Sequence, residues 1–205
     1  MAILGVSLKN NKEQQELVRL INENDRPIIL CTGNAGTGKT FAAILAALQL
    51  KQDKKYRSIV YGRNPMPLGY DMGALPGGLD EKYGPYMGPL YDNVEAIVDC
   101  STEHLNANEV AKRIEVLPIA FLRGRSFRDT ILIIDEAQNL DLVALKAILT
   151  RVGAYSKVVL LGSMNQIDDF RQRRQEKCDF QKVIDAVKDL PYVGYINLTK
   201  SMRSD

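Results

Sequence analysis

Cysteine is scarce and follows no paired pattern: Cys31, Cys100 and Cys178 are odd in number and widely separated. That excludes a disulfide framework and a paired-cysteine zinc site, and it suits a reducing cytosol. No apolar run approaches the roughly 18 residues needed to span a bilayer. The N-terminus also lacks the basic and apolar regions of a secretory leader, so neither membrane insertion nor export is expected. An excess of one charge is missing too. Lys and Arg total 27 against 25 Asp and Glu, a formal net charge of +2, too mild to announce a nucleic-acid binder, so such contacts would have to come from local patches. Repeats and internal linkers are absent, and 205 residues suit one α/β domain covering 1–205 with a substantial core.

What is present begins with Gly33, Asn34, Ala35, Gly36, Thr37, Gly38, Lys39 and Thr40, a complete phosphate-binding loop. It stands between the apolar run Pro27 to Cys31 and the helix-forming run Phe41 to Leu50. A strand, a glycine-rich turn and a helix N-terminus make an anion site, because the glycines let backbone N–H groups converge and the helix end supplies partial positive charge. Lys39 is placed to reach the β- and γ-phosphates of a bound nucleotide, and the Thr40 hydroxyl to meet Mg²⁺. About a hundred residues on, the β-rich run Thr130 to Ile134 ends in Asp135, Glu136, Ala137 and Gln138. Ligands of open α/β sheets bind beyond the C-terminal ends of the strands. Asp135 is therefore the candidate Mg²⁺ partner, and Glu136 the residue that orients and polarises the attacking water. Without the phosphate loop, the acidic pair would read better as a cap on the following turn.

Strand-like runs at 28–32, 58–61, 130–134, 157–162 and 193–198 alternate with helix-like runs, the pattern of a mostly parallel sheet with helices on both faces. Asp141 opens a helix with Leu142, Leu145, Ile148, Leu149 and Val152 on one side and Gly153 as its stop. Phe180, Val183, Ile184, Val187 and Leu190 form a second such stripe before Pro191. The stretch Gly62 to Tyr91 breaks the regularity: it holds seven of the 15 glycines, five of the 8 prolines and four of the 9 tyrosines. That density argues against regular helix or strand and for a functional loop. Its tyrosines either pack on the domain or a neighbouring subunit, or stack on the bases of a single strand.

The chain resembles the PhoH-like ATPase family, related to the first motor domain of superfamily-one helicases. The resemblance runs from Gln14 to Asp205 through the phosphate loop, Arg63-Asn64-Pro65, Leu75-Pro76-Gly77-Gly78-Leu79 with Glu81-Lys82, and Pro85-Tyr86. It continues in Phe121-Leu122-Arg123-Gly124-Arg125-Ser126-Phe127, Asp135-Glu136-Ala137-Gln138-Asn139, Leu149-Thr150-Arg151 and Gln166-Ile167-Asp168. It implies a single RecA-like P-loop NTPase domain that binds and hydrolyses ATP with Mg²⁺. Gln14, with Gln15 as the fallback, resembles the glutamine that reads the adenine edge. Gln138 resembles the glutamine coupling the γ-phosphate to the nucleic-acid side, Gln166 a γ-phosphate sensor, and Arg203 the arginine finger of the last helicase motif. The chain departs from its relatives at Ser163, where they usually carry an aspartate.

Helicases of this kind close a nucleotide cleft between two motor domains, and one such core is present here. A second subunit is therefore expected to supply the far wall, and the resemblance points to a hexameric ring. Arg123, Arg125 and Arg128, or Arg171, Arg173 and Arg174, either contact a neighbour's nucleotide or a nucleic-acid backbone, or form solvated faces. The leading expectation is a cytoplasmic ATPase, of bacterial or phage origin by its short form, acting on single-stranded RNA or DNA with RNA favoured. Two rivals share the phosphate loop: a nucleotide-gated assembly protein that binds no nucleic acid, and a P-loop kinase for a small acceptor.

Overall fold

The computed structural model describes residues 2–8, 11–63, 79–122, 125–164 and 178–202. A two-residue hairpin, β1 (Ala2–Ile3) and β2 (Val6–Ser7), leads into helix α1 (Lys12–Asn22). The Asn11 side chain caps α1 by accepting from the Gln14 N–H at 3.1 Å, and Leu17, Val18, Leu20 and Ile21 are buried along its apolar side. Strand β3 (Ile28–Gly33) then delivers the chain to α2 (Lys39–Gln52). From Ala42 to Leu48 every residue of α2 is buried, as befits a helix apolar on all sides at the centre of the fold.

Strand β4 (Ser58–Arg63), helices α3 (Leu79–Cys100) and α4 (Ala107–Ala111), strand β5 (Ile114–Pro118) and the short α5 (Ile119–Leu122) follow. The remainder is β6 (Thr130–Asp135), α6 (Leu142–Leu149), β7 (Lys157–Gly162), α7 (Asp179–Val187) and β8 (Val193–Leu198). Six strands form one sheet in the order β5-β4-β6-β7-β3-β8, every neighbour parallel. One face packs against α1, α2 and α3 and the other against α6 and α7, giving two buried apolar clusters on either side of the sheet. This is the mostly parallel, doubly covered α/β sheet that the alternating runs predict, and each of the five expected strands lies within one residue or two of its expected bounds.

Four local expectations change. The Gly62 to Tyr91 stretch is not irregular throughout: β4 continues to Arg63, and α3 runs from Leu79 through Pro85 and Pro89. Leu90, Val94 and Ile97 follow at helical spacing and are fully buried in the cluster shared with α2, and this tertiary burial outweighs the poor local propensities. Helix α6 ends at Leu149, before the expected stop at Gly153, because Val152 leaves the helix to bridge Phe127 and the Gly153 N–H donates to the Phe127 carbonyl at 3.0 Å. Leu142, expected in the stripe, is instead exposed at its start. Finally, β5 is an additional edge strand.

Candidate functional site

A cleft of about 390 Å³ opens at the C-terminal ends of β3, β4, β6 and β7, bounded by the phosphate loop on one side and by Asp135, Glu136 and Ser163 on the other. The loop takes its shape from glycine. Gly36 (φ 77°) and Gly38 (φ 76°) are left-handed, which a side chain disfavours. A Cβ on Gly38 would lie 2.1 Å from Gln14 Nε2. Gln14 is buried, and its amide donates to the Thr37 carbonyl at 3.1 Å. The residue singled out for the adenine edge thus braces the phosphate loop, while Gln15 turns away to the Leu8 carbonyl at 2.6 Å.

Lys39, in the first turn of α2, donates to the carbonyls of Gly33 (2.8 Å) and Asn34 (2.9 Å). Burial lowers its pKa from the ordinary lysine value, because desolvation disfavours the charged form. An ammonium hydrogen-bonded to loop carbonyls suits an incoming polyphosphate. Cys31 beneath it is buried and pushed up to about 12 by desolvation, an inert thiol, and Cys31, Cys100 and Cys178 are all free.

Asp135 closes β6 and is nearly buried. Its carboxylate accepts from the Tyr61 hydroxyl at 2.7 Å, from the Thr40 hydroxyl at 3.3 Å and from the Glu136 N–H at 3.0 Å. Burial first, and Asp135 second, raise the Tyr61 pKa, so the phenol stays a donor. The Thr40 and Asp135 oxygens, 95 positions apart in sequence, are hard donors suited to Mg²⁺, whose remaining ligands usually come from substrate phosphates and water. No cluster of three or more His, Cys, Asp or Glu able to hold a metal occurs among the described residues.

Glu136 sits at φ 56°, ψ 40°, a left-handed conformation costing on the order of 1–3 kcal/mol for a residue other than glycine. Such strain at a cleft persists where a side chain must be aimed. Its carboxylate accepts from Gln138 Nε2 at 2.5 Å and meets the Arg63 guanidinium at 3.5 Å. Gln138 is fully buried, and its Oε1 accepts from the Ser163 N–H at 3.0 Å. A continuous polar chain therefore links β4, β6 and β7 across the floor of the cleft. Among the described residues the buried Ser163 Oγ has no hydrogen-bond partner, beside the space that a phosphate would fill.

Beyond β8 the chain returns to the site. The Glu13 carboxylate accepts from the backbone N–H groups of Lys200 (3.0 Å) and Thr199 (2.7 Å) and from the Thr199 hydroxyl (2.5 Å), contacts that lower its pKa. The Met202 N–H donates to the Gly36 carbonyl at 2.8 Å.

Of the residues singled out from sequence, Gln14, Gly33 to Thr40, Asp135, Glu136 and Gln138 converge here. Gln166, Arg203, Arg123, Arg171, Arg173 and Arg174 lie outside the described residues, as do the side chains of Tyr83 and Tyr86. Arg125 pairs with Glu115 at 2.6 Å and lies over the Phe127 ring, and Arg128 precedes β6 at the sheet end opposite the cleft. The sequence reading missed Tyr61 and gave Arg63 no role. The available signal was their place at the C-terminal end of an otherwise apolar strand.

A family model described as PhoH-like protein matches residues 7–205. The chain is 37% identical over 206 residues to Protein PhoH2 of Bacillus subtilis (strain 168), covering 98% of this chain and 46% of that protein. It is 40% identical over 155 residues to a PhoH-like protein of Mycobacterium tuberculosis (strain ATCC 25618 / H37Rv), covering 76% of this chain and 43% of that protein. The chain thus spans less than half the length of these relatives. In fold it is similar to the Sulfolobus solfataricus SWI2/SNF2 ATPase core in complex with dsDNA, with a TM-score of 0.51 and 13% identity over 96% of this chain and 46% of that one. The sheet, the phosphate loop and this likeness are those of a RecA-like P-loop nucleotide-binding domain, and the chain belongs to the PhoH-like family.

Proposed function

We propose that this domain binds and hydrolyses ATP with Mg²⁺, as the motor-type core of a homo-oligomer acting on single-stranded nucleic acid, RNA in preference to DNA. The observation that carries the hydrolytic reading is the meeting of Lys39 and Thr40 with Asp135 and Glu136 in one cleft. When bound, Mg²⁺ would supply positive charge against that developing on the phosphates. Lys39 would exchange its two loop carbonyls for phosphate oxygens, and the loop N–H groups at the start of α2 would add their partial positive charge. Thr40 and Asp135 would hold the cation, with Tyr61 fixing the Asp135 carboxylate. Glu136 would accept a proton from the attacking water, oriented by Gln138.

Three residues extend this reading. Gln138 joins Glu136 to Ser163, a connection through which occupancy of the γ-phosphate position would reach the end of β7 and the Gln166 segment beyond it. Arg203 follows Met202, which is bonded to the phosphate loop, and this supports its assignment as an arginine finger. Gln14, held against the loop, would read the adenine edge by exchanging the Thr37 carbonyl for the base. In the proposed hexameric ring each neighbour would supply the far wall of the cleft.

The test is release of free phosphate from ATP, measured with and without single-stranded RNA or DNA on material of known assembly state. Release that needs no phosphate acceptor and is stimulated by the strand supports the proposal. Transfer to an added small acceptor would instead indicate a kinase, and phosphate release with no salt-sensitive strand binding would indicate a nucleotide-gated assembly protein.

A further inference from the structure

We infer that Arg63 is a γ-phosphate-contacting residue supplied by the same subunit, and that its pairing with Glu136 is a resting contact that a nucleoside triphosphate, unlike a diphosphate, displaces. This deepens the proposed hydrolytic function and rests on that reading of the cleft.

Arg63 is the last residue of β4 and stands in register with Asp135 on β6 and Pro118 on β5, so its side chain starts at the strand edge where the ligand would lie. Among the described residues that line the cleft, the cationic side chains are Lys39 and Arg63. Lys39 is bound to the phosphate loop itself. Arg63 faces it from the opposite wall beside Glu136, where the terminal phosphate of a nucleotide seated on the loop would point.

The resting contact is weak. One guanidinium N–H reaches one Glu136 oxygen at 3.5 Å, with both side chains about a quarter exposed, whereas a locked Arg–carboxylate pair is bidentate at roughly 2.7–2.9 Å. Glu136 keeps its other oxygen on Gln138 at 2.5 Å, so losing Arg63 does not leave the carboxylate without a partner. A terminal phosphate carries more charge than a carboxylate and matches the planar guanidinium fork. Exchange would do two things together: place positive charge where it builds up during phosphoryl transfer, and free one Glu136 oxygen to take a proton from water. A diphosphate leaves the Arg63–Glu136 contact intact.

The experiment is equilibrium binding of ADP and of a non-hydrolysable ATP analogue, both with Mg²⁺, to the wild-type protein, Arg63→Ala and Arg63→Lys. The wild type is expected to bind both. Arg63→Ala should lose roughly 10- to 100-fold in affinity for the analogue, as expected for one charge-assisted contact, with ADP affinity changed less than about twofold. Arg63→Lys, which keeps the charge without the fork, should fall between and serves if the alanine variant folds poorly. The same measurements in a Glu136→Gln background separate this role from a brace for Glu136, because the analogue-specific loss should persist there. Unchanged analogue-to-ADP discrimination in Arg63→Ala, or loss of the effect in the Glu136→Gln background, overturns the inference. Failure of the wild type to bind either nucleotide overturns the underlying reading of the cleft instead.

Discussion

Replacing Tyr61 with Phe isolates one contact at the heart of the site. The ring is fully buried and its hydroxyl donates to Asp135 at 2.7 Å. Phe fills the same volume, so no cavity forms and the change removes only the hydrogen bond. A hydrogen bond to a charged group contributes about 1.5–3 kcal/mol, and removing the donor leaves a nearly buried carboxylate short of a partner. Among the described residues Asp135 would keep the Thr40 hydroxyl at 3.3 Å and the Glu136 N–H at 3.0 Å. A loss of about 1.5–3 kcal/mol corresponds to a fall in Tm of about 3–12 °C for a domain of this size. Urea unfolding should show a lower midpoint with an unchanged slope. Because Asp135 would then be less firmly aimed, Mg²⁺-dependent nucleotide affinity should require more Mg²⁺ than in the wild type. A destabilisation below about 0.5 kcal/mol with unaltered Mg²⁺ dependence would refute the claim that Tyr61 positions Asp135.

Two further expectations follow from burial and backbone geometry. Gly38→Ala combines a left-handed residue, costing about 1–2 kcal/mol, with a Cβ driven into the Gln14 amide; urea unfolding should show a loss of roughly 2–3 kcal/mol once the Gln14–Thr37 bond is counted, and nucleotide affinity should fall with it, whereas near wild-type values would mean the loop can reshape freely. Lys157 is buried with its pKa lowered to about 8 by desolvation, so between about pH 8 and 10.5 the unfolded chain holds a proton that the folded one has released and wild-type stability gains with rising pH; Lys157→Met lacks this gain, and its stability relative to wild type should decline across that window, a constant difference ruling the buried ammonium out as the source.

Much of the fold and half of the site could be read from local sequence because both halves of the nucleotide site are contiguous: a strand, a glycine turn and a helix in one case, a strand ending in Asp135-Glu136 in the other. Strand β5 escaped notice because it is a short edge strand carrying the half-polar pattern Ile114-Glu115-Val116 and ending in Pro118, with a single neighbour to bury it. Helix α3 was hidden by Pro85, Pro89 and their glycines, while the packing of Leu90, Val94 and Ile97 that favours it is tertiary. Tyr61 and Arg63 act on residues 74 and 73 positions away, partnerships that exist only once β4 lies beside β6. The same holds for Ser163, whose departure from the family pattern is visible in sequence while its N–H bond to Gln138 is not.

The proposed mechanism assigns phosphate clamping and water activation to different residues of one cleft. Its most direct measurement is the pairing of Mg²⁺·ATP affinity with phosphate release in Glu136→Gln, with Lys39→Ala as the reference for failed binding. Glu136→Gln is predicted to bind Mg²⁺·ATP about as tightly as the wild type while releasing no phosphate above background, and Lys39→Ala to lose binding or turnover. Near wild-type phosphate release by Glu136→Gln would remove Glu136 from the water-activating role.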